Sequence, residues 1–144
     1  MNVLFICGGN TCRSPMAKVI FEQMHSKEIA AQKISADSAA FDTTTGPEAS
    51  QGAKNAIKTI YGRDLLKRHT PKKLSPDLKK WADVIAVMAE RMKNDMPPAK
   101  TKTLKEYAGE SGDIPDPFGQ SDEVYLKCAK EIKRLIEIAW PPHV

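Results

Sequence analysis

The stretch NVLFICGGNTCRSP, residues 2–15, changes character twice within a few positions. Val3-Leu4-Phe5-Ile6 is a continuous apolar run too short for a helix, the pattern of a strand buried on both faces. The run ends at a cysteine, and two glycines follow. Ser14 can cap a helix, and Pro15 suits its first turn, where a proline lacks only an N–H that has no intrahelical partner. Strand, tight loop, then helix predicts a crossover and a parallel sheet.

Working outward, the alternation repeats. Met16, Val19, Ile20 and Met24 recur at helical spacing, predicting a helix that ends near Lys27. ISADSAAF (34–41) reads as a weaker strand, and TTTGPE (43–48) as loop. A helix from Pro47 to Gly62 would carry Ala53, Ala56, Ile57 and Ile60 on one face. Ser75-Pro76 opens a short helix, and DVIAVM (83–88) is the clearest second buried strand. Residues 90–96 suggest a brief helix stopped by Pro97-Pro98, and residues 102–104 a last strand. A long Gly-, Pro- and Asp-rich loop, GESGDIPDPFGQS (109–121), precedes a helix with Val124, Tyr125, Cys128, Ile132, Leu135, Ile136 and Ala139 on one stripe. The expectation is one α/β domain over residues 1–144, a four-stranded parallel sheet with helices on both faces.

Composition sets limits on function. With 144 residues, 41% hydrophobic and 28% charged, the chain can bury a core and matches soluble globular domains. No apolar run approaches the roughly 18 residues that span a bilayer, and the N-terminus lacks the basic lead-in of a signal peptide. A cytoplasmic protein away from membranes is therefore expected. Two of the three cysteines share one loop, so a disulfide framework is a poor explanation and the thiols should be reduced. The net charge of +4 is mild. The basic run KRHTPKKLSPDLKK (67–80) is either a solvated surface or a rim that steers an anionic substrate. Lacking interleaved aromatics, it does not point to nucleic acid.

Ligands of open α/β sheets bind beyond the carboxyl ends of the strands, where the loop of residues 7–14 lies. Its helix N-terminus offers unpaired N–H groups and a positive dipole end. Gly8 and Gly9 let the backbone curl so that successive N–H groups, through Asn10, Thr11 and Cys12, point inward as a nest. Arg13 adds a planar fork that can grip two oxygens. The loop reads as a phosphate-binding loop, but not a nucleotide P-loop, because the Gly-Lys-Ser/Thr ending is missing. The same donors favour a thiolate on Cys7, which makes that sulfur a candidate nucleophile rather than a small buried hydrophobe. Such a nucleophile needs a general acid. Asp116 and Asp113 are the rivals in GDIPDPFG, and each could equally be a turn former. Phe118 could flank a planar substrate.

VLFICGGNTCRSPMA together with DPFG resembles the low-molecular-weight protein tyrosine phosphatase family, and the similarity runs through DSAA, the His69 region and the final helix. The resemblance implies Cys7 as nucleophile, Arg13 as phosphate ligand, and Asp116 as acid and then base, with no metal or other cofactor. It also implies that Asn10, Ser14, Ser38 and His69 brace the loop, and that Cys12 can pair with Cys7 under oxidation. From its residues alone, His69 would be surface, Cys12 packing, and Cys128 core. Phosphorylated proteins would be the substrates and inorganic phosphate the product and competitive ligand, with a monomer favoured. Thr11 in GNTCRSP reads as a specificity residue at the loop lip, where its hydroxyl would narrow the entrance and stand beside a guanidinium. With DPFG and TLKEY it is most like the bacterial protein arginine phosphatase subgroup, whereas DSAA is more like tyrosine-specific members. Other readings stay in view. An arsenate reductase would need further cysteines between residues 13 and 127, a sugar phosphotransferase has no use for the Asp-Pro acid, and a non-catalytic phosphate-binding module could lose it. A zinc site lacks a second cysteine pair.

Overall fold

Strand β1 (Asn2–Cys7) lies inside the sheet, and Val3 to Ile6 are fully buried, as a strand covered on both faces must be. In the computed structural model, which describes residues 1–142, β1 is flanked by β2 (Ser35–Ala40) on one side and β3 (Val84–Val87) on the other. The last two residues of the expected 1–144 domain lie outside the described residues. With β4 (Thr101–Thr103) at the far edge, the order is β2-β1-β3-β4 and every pairing is parallel. The chain winds outward from β1 in both directions, which puts the switch of strand order at the carboxyl end of β1.

Helices cover the sheet. α1 (Arg13–Met24) buries Met16, Val19 and Ile20. α3 (Gln51–Tyr61) buries Ala53, Ala56 and Ile57, and α6 (Asp122–Ala139) buries Tyr125, Cys128, Ala129, Ile132, Leu135 and Ile136. These are the stripes the helical period implies. Phe5 meets Phe21 of α1 at 5.7 Å and Trp140, just past α6, at 6.0 Å, both edge-on. α4 (Pro76–Trp81) begins at Ser75, whose hydroxyl accepts the Leu78 N–H. α5 (Leu104–Tyr107) starts from a capping box between Thr103 and Glu106. Among the described residues no helix is long and apolar enough to cross a membrane.

Several boundaries differ from the sequence expectation. α1 stops at Met24 rather than near Lys27, because His25 leaves helical geometry to pack on Phe21 and bond the Trp140 carbonyl. A separate helix, α2 (Ser26–Ala30), follows. Ser14 is not a cap: α1 begins at Arg13, and the Ser14 hydroxyl turns inward. α3 starts at Gln51 instead of Pro47, since Ser50 is extended and its N–H is committed to the Thr11 carbonyl. Residues 90–93 form only a 3₁₀ turn. The last strand is Thr101–Thr103, one residue ahead of expectation, and Leu104 opens α5. Val124, expected on the buried stripe, is 36% exposed.

Gly52 shows how tightly α3 and α6 approach. A Cβ built on it would stand 2.2 Å from the ring of Tyr125, which is itself buried. Helix propensity alone favours alanine over glycine by about 1 kcal/mol. Overpacking against a fixed ring costs about 1–3 kcal/mol and should win. Gly52→Ala is therefore expected to lower the denaturant midpoint, and a raised midpoint would show that Tyr125 yields freely.

Candidate active site

The loop between β1 and α1 is divided cleanly into two sides. Its carbonyls face outward and are satisfied: Cys7 by Phe41 N–H, Gly8 by Asp42 N–H, Gly9 by Thr45 N–H, Thr11 by Ser50 N–H and Cys12 by Met16 N–H. The Asn10 carbonyl accepts from His69 Nε2 at 2.8 Å. Among the described residues, none of the backbone N–H groups of Gly8 to Cys12 donates to a protein acceptor. A run of free N–H groups at the start of a helix is an anion nest.

Asn10 holds this arrangement. It is buried, with φ at 56°, a left-handed conformation that asparagine tolerates better than most residues. Its Nδ2 donates to Ser14 Oγ at 2.8 Å and to Ser38 Oγ at 2.9 Å, while Oδ1 accepts the Lys72 N–H at 3.0 Å. Ser14 Oγ lies 2.9 Å from Cys7 Sγ. The network thus joins the thiol to α1, β2 and the segment after α3. Within the basic run, Lys72 also pairs with Asp37, which links part of that run to β2.

Arg13 is buried, and its guanidinium reaches across to the long loop. Nη1 donates to the Ile114 carbonyl at 2.7 Å, Nη2 lies 3.6 Å from Asp116 Oδ2, and Nε is buried with no partner among the described residues. Ile114 is pinned from its other side, its N–H donating to the Met88 carbonyl beyond β3. One edge of the fork is therefore structural, and the other carries Nε, without a partner among the described residues, and Nη2, which faces Asp116. The cleft beneath it, about 60 Å³, is lined by Cys7, Gly9, Thr11, Cys12, Arg13, Thr45, Asp116 and Phe118. A cavity far smaller than the usual few hundred Å³ of a small-molecule pocket takes only the end of a substrate.

The structure gathers Cys7, Arg13, Asp116, Thr11, Cys12 and Phe118 in this cleft and sets Asn10, Ser14, Ser38 and His69 behind it. Gly8 lies beside it, its carbonyl bonded to Asp42 N–H. Asp113 is turned away: its carboxylate accepts the Glu90 N–H at 2.8 Å. Phe118 is 54% exposed at the mouth. Thr11, expected at the lip, is only 4% exposed, and its hydroxyl meets Thr45 Oγ1 at 2.6 Å. The reason for Gly9 is also plain, since a Cβ there would fall 2.4 Å from Thr45 Cγ2. Cys12 Sγ sits 3.2 Å from Ser50 Oγ and 3.3 Å from Tyr125 OH, and all three thiols are free. Burial pushes Tyr125 up to about 12, so its hydroxyl keeps its proton and can donate to the sulfur. Cys128 is core, and burial pushes its thiol up to about 12.

Thr45, Ser50, Tyr125 and the Asp42–Arg91 ion pair do not stand out from the sequence. The first two lie near the segment that reads as plain loop, and no spacing marks them. The repeated threonines of TTTGPE are the only signal.

An α/β sheet whose first strand ends in an anion nest, with a thiol at the base and an arginine beside it, defines a phosphate-handling scaffold. The chain belongs to the low molecular weight phosphotyrosine protein phosphatase family, whose model matches residues 2–139. A protein-arginine-phosphatase from Geobacillus stearothermophilus is 35% identical, over 94% of this chain and 90% of that one. The crystal structure of a low molecular weight protein tyrosine phosphatase from T. tengcongensis is 40% identical with a TM-score of 0.84, covering 95% of each chain. A structure of a YwlE arginine phosphatase mutant with a phosphorylated active-site serine is 29% identical with a TM-score of 0.82, covering 94% of this chain and 91% of that one.

Burial holds His69 below its ordinary value of 6.5, and Lys18 and Lys72 add to the effect. The native protein therefore binds fewer protons at this site than the unfolded chain does. Its contribution to stability is complete above about pH 6.5 and declines as pH falls from there toward the folded-state value. His69→Gln keeps an N–H for the Asn10 carbonyl but cannot titrate, and should flatten the acid limb of a stability–pH curve. An unchanged limb would remove His69 as its source.

Proposed function

We propose that the protein hydrolyses phosphorylated protein side chains through a phosphocysteine, with phosphoarginine the favoured substrate. The observation that carries the catalytic part is the loop's division: among the described residues, the N–H groups from Gly8 to Cys12 and Arg13 Nε have no partner, and they lie around one sulfur. The phosphate oxygens take the loop N–H groups and the Nε–Nη2 edge of Arg13, leaving Nη1 on Ile114.

In the first step the Cys7 thiolate attacks phosphorus, an S–P bond forms, and the bond to the leaving atom breaks as Asp116 gives it a proton. In the second step Asp116, now a carboxylate, takes a proton from water. The water oxygen bonds to phosphorus and the S–P bond breaks, restoring the thiolate and releasing inorganic phosphate. The Ser14 hydroxyl, 2.9 Å from Sγ, can donate to the sulfur whenever it is negative. Loop-bracing roles for Asn10, Ser14, Ser38 and His69 are supported by the hydrogen bonds they make. A Cys7–Cys12 disulfide under oxidation remains part of the proposal, with Cys12 held by Ser50 and Tyr125 in the reduced form.

Phosphoarginine is supported by hydroxyl and carboxylate acceptors at the mouth and by the likeness to proteins named as arginine phosphatases. A phosphotyrosine reading is favoured by one feature, the exposed Phe118 ring at the same mouth. The experiment is phosphate release from matched phosphoarginine and phosphotyrosine peptides, with kcat/KM expected to be higher on the first. A higher value on the second would reverse the assignment. Binding of phosphopeptide without release of phosphate would favour a binding module, and transfer only to an acceptor protein would favour a phosphotransferase.

Cys7→Ser should cut turnover by about a thousandfold or more while still binding inorganic phosphate. Asp116→Ala should slow turnover by about 10²- to 10⁴-fold and let a phosphoenzyme accumulate in rapid-quench trapping. Near-normal turnover by the serine variant would end the phosphocysteine mechanism.

A further inference from the structure

Thr45 is the cleft residue that no catalytic role uses. Its side chain is exposed, whereas that of its partner Thr11 is buried. The two hydroxyls meet at 2.6 Å. Backbone geometry fixes Thr45 as well: its N–H donates to the Gly9 carbonyl, and its methyl lies over Gly9, where a Cβ would fall 2.4 Å away. The hydroxyl therefore has a fixed position on the wall of the cleft, among Cys7, Arg13, Asp116 and Phe118.

A guanidinium carrying a phosphoryl group brings several N–H donors into this space, and an aryl phosphate brings none. Those donors lose water on entry and need acceptors. Asp116 Oδ1 already accepts the Phe118 N–H, and as general acid this residue must donate to the leaving nitrogen. Asp42, the other carboxylate nearby, is engaged by both terminal nitrogens of Arg91, at 2.7 and 3.3 Å. The Thr11–Thr45 pair holds one proton between its oxygens, which leaves lone pairs on the exposed Thr45 oxygen.

We propose that Thr45 is a specificity-determining residue whose hydroxyl, held in place by Thr11, accepts an N–H of the phosphorylated guanidinium and so favours N-phosphorylated over aryl-phosphate substrates. This deepens the phosphoarginine reading and rests on it. Thr45→Val preserves the branched shape over Gly9 and removes the acceptor, whereas Thr45→Ser keeps the hydroxyl and removes the methyl.

The test measures kcat/KM of wild type and both variants on a phosphoarginine peptide and on para-nitrophenyl phosphate. In Thr45→Val the ratio of the first to the second is expected to fall about tenfold, the scale of one hydrogen bond. Thr45→Ser should keep the ratio near that of wild type. If the valine variant loses both activities in parallel, Thr45 only shapes the loop and the assignment is overturned. It is equally overturned if the serine variant loses selectivity as the valine variant does. A wild-type protein that hydrolyses the aryl ester but not phosphoarginine overturns the substrate reading, and this inference with it. A wild type active on phosphoarginine, with an unchanged ratio in Thr45→Val, overturns the assignment of Thr45 alone.

Discussion

The site depends on a backbone constraint before it depends on any side chain. To aim successive N–H groups inward, the loop must send its carbonyls outward, and each then needs a donor in the surrounding fold. The segment after β2 supplies most of them, from Phe41 to Ser50, and His69 supplies the one at Asn10. The buried Asn10 side chain fixes the turn between these two sources through Ser14, Ser38 and Lys72. An anion cradle is thus the inner surface of a shell of satisfied carbonyls. Its shape is set by the donors that meet the outward carbonyls and by side chains that lie behind the loop.

The same shell explains what can and cannot be read from sequence. β1 and α1 are legible because the continuous apolar run and the helical spacing of Met16, Val19 and Ile20 each have a local physical reason. Cys7 and Arg13 stand out for the same cause, both lying within that unit. Asp116 is separable from Asp113 only by resemblance, since both precede turn-forming residues. The distinction is tertiary: Asp113 is consumed by the Glu90 N–H, while Asp116 faces Arg13.

Ser14 has the local signature of a cap, a serine directly before proline, but burial beside Cys7 and Asn10 outweighs that preference. Gly9 has no local reason at all. Its reason is Thr45 lying on it, a contact between residues far apart in the chain. Helix ends depart from propensity where a tertiary hydrogen bond, such as Ser50 to Thr11, claims a residue that the local pattern gives to the helix.

The approach of Asp116 to Arg13 bears on which anions the protein can discriminate. A guanidinium edge already facing a carboxylate of its own chain presents a muted field to its surroundings. A monovalent ion such as chloride would exchange one negative neighbour for another and gain little. A doubly charged phosphoryl group carries more charge than the aspartate and offers several oxygens to the nest at once. On the proposed reading, the resting contact between these two side chains would weigh against singly charged ions.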